Sequence, residues 1–207
     1  MMKAWEVTAV TDFILAGEAF LAAGILLGRA PPVPSAALFW ALGMLCTALA
    51  ALLGGVDHGF LEPKGTSRTR TTLQKITWMC IGGMTFFSLQ TAAWQFGSAA
   101  WQEAAAWIGL AQLAVFCFFS FRTGEYRMVI LNYAPVLILL LALNILGWPG
   151  GAGSWQIVAG LSISTAASAI QVLGVDRFSP VDRNGLYHLG MMAAVVLFFL
   201  GGLTFPA

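Results

Sequence analysis

Charge is what this chain has least of. Only 9% of its 207 residues are Asp, Glu, Lys or Arg, where a soluble domain carries about 25%. So few charges cannot cover a water-exposed surface, which excludes an ordinary soluble globule. Disorder is excluded as well, because it requires low hydrophobicity, and here 59% of residues are apolar before the 23 glycines are added. Cysteine is scarce: Cys46, Cys80 and Cys117 stand singly inside apolar stretches, with no paired spacing and no CxxC. They read as small buried side chains, not as a disulfide framework. Net charge is +1, and no basic cluster interleaves with aromatics, so nothing points to nucleic acid. What is present in abundance is long apolar runs, the mark of a polytopic membrane protein.

A hydrocarbon core of ~30 Å takes about 20 residues of helix. Seven such runs can be read, at 7–28, 36–60, 73–95, 100–120, 127–147, 155–175 and 185–204. The gaps between them are short and rich in Pro, Gly and Ser. Only the segment 61–72 is longer, and none could hold a second domain. The expected architecture is all-α: one seven-transmembrane-helix domain over 1–207, with no repeat between its halves. The first run begins after Lys3 like a signal peptide, yet it contains Asp12 and Glu18 and exceeds 20 residues, which argues for a retained helix.

Lys3, Lys64, Arg68, Arg70, Lys75, Arg122, Arg127, Arg177 and Arg183 all fall on one side of this topology, and Arg29 alone falls on the other. By the positive-inside rule the amino terminus is expected in the cytoplasm and the carboxyl terminus outside, in a bacterial inner membrane. Trp94, Trp101, Trp148 and Trp155 fall near outer ends, where indoles anchor. A G-protein-coupled receptor has the reverse topology, and a retinal protein needs a Lys that the last span lacks.

An ionisable side chain inside a bilayer is costly and needs a partner or a task. Asp12 and Glu18 lie within the first span, Asp57 and His58 close the second, and Asp182, Asn184 and His188 open the seventh. Both histidines of the chain and Asp12 thus fall at one depth, at the cytoplasmic ends of spans 1, 2 and 7. Asp12 reads either as a functional acid or as a snorkelling or capping one, and Glu18 either joins the site or packs. His58 reads as a ligand or as an interfacial histidine bonded to a carbonyl. Asp57 either orients a neighbour, relays protons or meets the basic loop. Asn184, His188 and Met192, spaced by four, share one helix face, though Asn184 alone reads as an N-cap. Asp176 and Asp182 read as solvated partners of Arg177 and Arg183. The hydroxyls of the sixth span, among them Ser164 and Ser168, read as close helix packing.

Two imidazoles and a carboxylate suit zinc and leave a position for water. The expected metal ligands are therefore His58, His188 and Asp12, with Asp57 or Asp12 moving protons and Asn184, Met192 and Glu18 around them. The same histidines would also suit a haem, which would colour the protein.

These segments (11–12, 54–59, 159–171 and 182–192) resemble the CREST superfamily of seven-span proteins, which includes alkaline ceramidases and progestin and adipoQ receptors, and most nearly a bacterial branch of it. The resemblance covers the topology of the whole chain and residue patterns at the ends of spans 1, 2, 6 and 7. It implies a zinc-dependent membrane hydrolase acting on a lipid amide or ester, with His58 as the second-span histidine and His188 as one of the last-span pair. The chain departs from that pattern at Gly54, where the superfamily has serine, in the third span, which has no acid, and at HxxxH, which is interrupted by Asn184 or Met192. Alternative expectations are a non-enzymatic protein binding a lipid or small ligand at a degenerate metal site, and a transporter, against which the absence of repeats weighs. Membrane lipids are the expected partners, and the Gly-Gly pairs at 54, 82 and 201 suit contacts within or between chains equally.

Overall fold

The computed structural model describes every residue except Met1, Arg177, Ser179 and Ala207. Among the described residues the chain forms seven α-helices: α1 Ala4–Arg29, α2 Ala36–Val56, α3 Arg68–Phe96, α4 Ala99–Thr123, α5 Arg127–Gly147, α6 Trp155–Leu173 and α7 Arg183–Gly202. The breakers in the gaps act as caps. Ser35, Ser67 and Ser154 each accept the backbone N–H three residues on, and Gly124 and Gly174 end α4 and α6 in the left-handed conformation, which costs glycine nothing.

Six of the seven helices are long and apolar enough to cross a bilayer, and α3 is the exception. The expectation of seven apolar spans is corrected there for a physical reason. α3 packs against α2, α4 and α5, so little of it meets lipid and its polar residues turn inward. Thr85, Ser88, Gln90 and Thr91 are all buried. Asn132 of α5 donates to Thr85 Oγ1 at 3.1 Å and accepts from Gln112 of α4 at 3.1 Å, joining three helices by bonds of about 0.6 kcal/mol each in such surroundings.

The remaining helices close a ring in the order α1, α2, α3, α5, α6, α7, with α4 outside against α3 and α5. Successive helices alternate in direction, so the segments around Lys3, Lys64–Lys75, Arg122–Arg127 and Arg183 gather at one end of the bundle, called here the basic end. The core lies at the α1–α2–α7 seam, where Ala19, Ala23, Ala41 and Ala48 are fully buried. The Gly-Gly pairs all serve packing inside this chain: a Cβ on Gly55 would meet Phe13 at 2.9 Å, one on Gly82 would meet Phe116 at 2.8 Å, and one on Gly201 would meet Ile157 at 2.5 Å. Trp94 turns inward against Phe39, with centroids 6.0 Å apart, whereas Trp101, Trp148 and Trp155 are exposed as anchors should be.

Candidate functional site

Within the ring lies a partly open cavity of about 430 Å³, lined by residues of all six ring helices. Its polar part lies at the basic end, and α2 shapes that part. Beyond Val56 the helix loosens into a π-turn over Asp57–Leu61 and a 3-10 turn over Glu62–Lys64. Such π-turns are frequent at functional sites because they re-aim side chains. Here the turn carries both Asp57 and His58 to the cavity wall. Gly54, one turn earlier, lets α1 come close: a Cβ there would lie 3.1 Å from the Asp12 carboxylate.

Asp12, 4% exposed, stands between the two histidines. Its Oδ1 is 3.1 Å from His188 Nε2 and its Oδ2 is 4.0 Å from His58 Nε2; the imidazole centroids are 6.5 Å apart. The expected meeting of Asp12, His58 and His188 at one depth is what the structure places there.

Partner chemistry settles which ring nitrogens are protonated. Thr11 Oγ1 lies 2.9 Å from the Thr8 carbonyl and 3.0 Å from His188 Nδ1. A hydroxyl has one proton, and the carbonyl can only accept it, so both contacts are favourable only if Nδ1–H donates to Thr11. His58 Nδ1 is 2.5 Å from Glu62 Oε2, and Nδ1–H donates to that carboxylate. Both rings therefore have Nδ1 tied from behind and Nε2 turned toward Asp12. Asp12 Oδ2 is buried and has no hydrogen-bond partner. Two imidazole lone pairs facing a carboxylate repel one another unless a proton or a cation lies among them. Imidazoles anchored through Nδ1 by a carboxylate and a hydroxyl are the arrangement that orients metal-binding histidines, so His58, His188 and Asp12 have the donor types that a small cation such as zinc takes, although among the described residues only Asp57, His58 and Glu62 bring ligand atoms all within 4.8 Å of one another.

A second acid–histidine group lies on the other side of His58. Asp57, His58 and Glu62 offer ligand atoms all within 4.8 Å of one another. Arg70, however, occupies it. Its Nε is 3.1 Å from Asp57 Oδ1 and its Nη2 is 3.3 Å from Glu62 Oε2, while Gln74 donates to Asp57 Oδ2 at 3.2 Å. A guanidinium already supplies there the positive charge that a metal would bring.

The other expected residues fall differently. Asp57 meets the basic segment, one of the readings its position allowed. The N-cap of α7 is Asp182, not Asn184: Asp182 Oδ1 accepts from Gly185 N at 2.8 Å and from Thr8 Oγ1 at 2.9 Å, so it ties α7 to α1 instead of sitting solvated beside Arg183. Asp176 accepts from the backbone N–H of Arg183 at 2.9 Å, and Arg177 lies outside the described residues. Asn184 accepts from Gln171 at 3.1 Å, and both line the cavity. Met191 lines it as well, whereas Met192 packs against the apolar core. Glu18 is half-buried away from the site and has no polar partner among the described residues. Ser164 and Ser168, expected as packing contacts, line the cavity with Tyr126, Tyr133 and Tyr187. Sequence reasoning passed over Thr11, Glu62 and Arg70. Spacing offered a signal for Glu62, which is one helical turn after His58, but none for Arg70.

Over residues 7–206 the chain matches the family described as Family of unknown function (DUF6962), and it belongs to that family. No curated protein matches it, and no solved structure does.

Proposed function

We propose that this member of the DUF6962 family is a zinc-dependent integral-membrane hydrolase that cleaves an amide or ester bond of a lipid. The observation that carries the reading is the buried Asp12 carboxylate, whose Oδ1 meets His188 while its Oδ2 has no hydrogen-bond partner, set between two imidazoles whose Nδ1 atoms are held from behind. His58, His188 and Asp12 would hold the ion. Bound zinc supplies a water of lowered pKa and a polarised carbonyl.

The chain's own residues do the rest. Thr11 and Glu62 fix the two rings, and Asp12 offers a buried carboxylate oxygen with no hydrogen-bond partner and so a place to hold a proton. Asp57, engaged by Arg70 and Gln74, positions the π-turn instead of relaying protons. A porphyrin would have to displace Asp12 from between the rings, which favours an ion over haem. The gathering of Lys and Arg at the basic end supports a cytoplasmic site in a bacterial inner membrane.

Elemental analysis of the purified protein tests the reading. About one zinc per chain is expected, lost in His58→Ala together with chelator-sensitive hydrolysis of N-acyl or ester lipids. A folded wild-type protein that takes up no zinc when supplied with it would overturn the metal centre. Zinc and lipid binding without turnover would leave a non-enzymatic binding protein.

A further inference from the structure

α5 and α6 are neighbours in the ring, yet each is fastened to its other neighbour. Asn132 ties α5 to α3 through Thr85. α6 lies so close on α7 that a Cβ on Gly190 would come 2.7 Å from Ala167, and one on Gly160 would come 2.6 Å from Phe198. Between α5 and α6 themselves the packing is the lightest of any neighbouring pair in the ring. Among the described residues their only hydrogen bond lies at the end away from the basic one, where Ser154 N donates to Asn144 Oδ1 at 3.0 Å.

From that bond the two helices run antiparallel toward the basic end, and their cover thins. Leu161, Thr165, Ser168 and Val172 form one stripe of α6. Leu161 is 2% exposed and shares the core with Leu140 of α5, whereas Thr165 is exposed and Val172 is 64% exposed. A stripe covered at one end and bare at the other marks a seam that opens. Leu161 and Val172 are eleven residues apart, about 16 Å of helix, which is about half of a ~30 Å hydrocarbon core. The opening therefore faces the leaflet at the basic end. Pro135 lies inside α5 at this level. It lacks an N–H and crowds the carbonyl four residues earlier, so the half of α5 that follows α3 need not continue the half that meets α6.

Behind the seam is the cavity, with Tyr133 and Leu137 on one edge and Ser164 and Ser168 on the other. Around it the surface is apolar: Leu131 and Ile138 of α5 and Leu173 of α6 are all exposed, so the medium that meets the opening is lipid. The hydroxyls on the α6 edge are turned back on their own helix. Ser164 and Thr165 donate to the Leu161 carbonyl at 3.0 and 2.8 Å, and Ser168 donates to that of Ser164 at 2.9 Å. An apolar chain can pass them without stranding a donor.

We propose that the seam between α5 and α6 is a lateral entrance, through which a lipid of the leaflet at the basic end brings its acyl part into the cavity. The class of guest rests on the hydrolase reading, whereas the entrance itself needs neither zinc nor turnover.

Asn144 meets Ser154, so equal rise along antiparallel helices brings Ala134 to the level of Thr165. Thr165→Trp would fill the seam from α6, where the side chain is exposed, and Ala134→Trp would fill it from α5, where it is half-buried. The full-length protein is reconstituted in phosphatidylcholine vesicles doped with a phosphatidylcholine that carries a diazirine in its acyl chain. After illumination, adducts are mapped by peptide mass spectrometry. In the ring order α1 and α2 stand opposite the seam, and their buried Leu15 and Ala51 line the cavity. Adducts on these two residues are expected in the wild type. Either tryptophan should lower them about tenfold, with labelling of the exposed Trp107 on α4 unchanged. Thermal unfolding reports whether each variant is folded. A wild type without adducts on Leu15 and Ala51, or undiminished adducts in both folded variants, overturns the entrance. Zinc content and turnover are read separately. Labelling of the far wall without zinc or hydrolysis sinks the hydrolase reading alone, and hydrolysis of a vesicle lipid at full rate in both variants sinks the entrance alone.

Discussion

His58 divides two clusters built from the same residue types, and they are balanced differently. On its outer side Asp57 and Glu62 share Arg70, with Gln74 on the remaining oxygen. Every charge there has a partner, and the cluster holds the π-turn to the start of α3. On its inner side Asp12 faces two imidazole Nε2 atoms, and one of its oxygens has no hydrogen-bond partner. The outer group is the tighter constellation of ligand-type atoms, yet the inner one is short of positive charge. Proximity of acids and histidines therefore identifies neither as a metal site; the tally of counter-charges separates them.

The sharpest way to break that comparison is His188→Ala, which removes a donor from the inner cluster only. Zinc per chain, read by elemental analysis, should fall by at least about tenfold, and hydrolysis with it. Undiminished zinc would move the metal to the outer cluster. Thr11→Val keeps the side-chain shape and deletes the hydroxyl behind His188 Nδ1. Zinc affinity, measured by chelator competition, should drop about 10–100-fold with thermal stability nearly unchanged.

Arg70→Ala acts on the outer side. Asp57 and Glu62 would lose their shared partner, and because Arg70 and Glu62 are partly exposed the loss should be about 1–3 kcal/mol, read as a lowered unfolding midpoint with one zinc still bound in zinc-loaded protein. Smallest is Asn184→Ala, which removes one bond from Gln171. About 0.5–1.5 kcal/mol of stability should go, and zinc content should not change. A collapse of zinc binding in that variant would place Asn184 in the inner cluster.

Much of this arrangement was legible in the chain. Asp12, His58 and His188 could be grouped because span counting puts them at one depth, and depth is a one-dimensional quantity that hydropathy reports. Helix positions followed from the same signal, α3 included, although its polar residues, covered by neighbours on three sides, keep it short of the apolarity of a membrane span. Asn184 was misread as an N-cap because Asp182, two residues earlier, is an equally good capping residue, and only its bonds to Gly185 and Thr8 decide between them. Ser164 and Ser168 were read as packing residues because a hydroxyl facing a cavity and one facing a helix have the same spacing. Arg70 was counted among topological charges, and nothing local links it to Asp57.

The sequence by itself determined that this protein lives in a membrane, that its chain is helical, and that a handful of ionisable residues carry a desolvation cost needing explanation. Composition and periodicity are enough for that, because the bilayer acts on each segment separately. The tertiary structure alone decided which of those residues are neutralised. Arg70 reaches Asp57 across a turn between helices, and His188 reaches Asp12 from the other end of the chain. Contacts of that kind depend on which helix faces meet, and it is the meeting of α1, α2 and α7 that leaves Asp12 with an oxygen unclaimed.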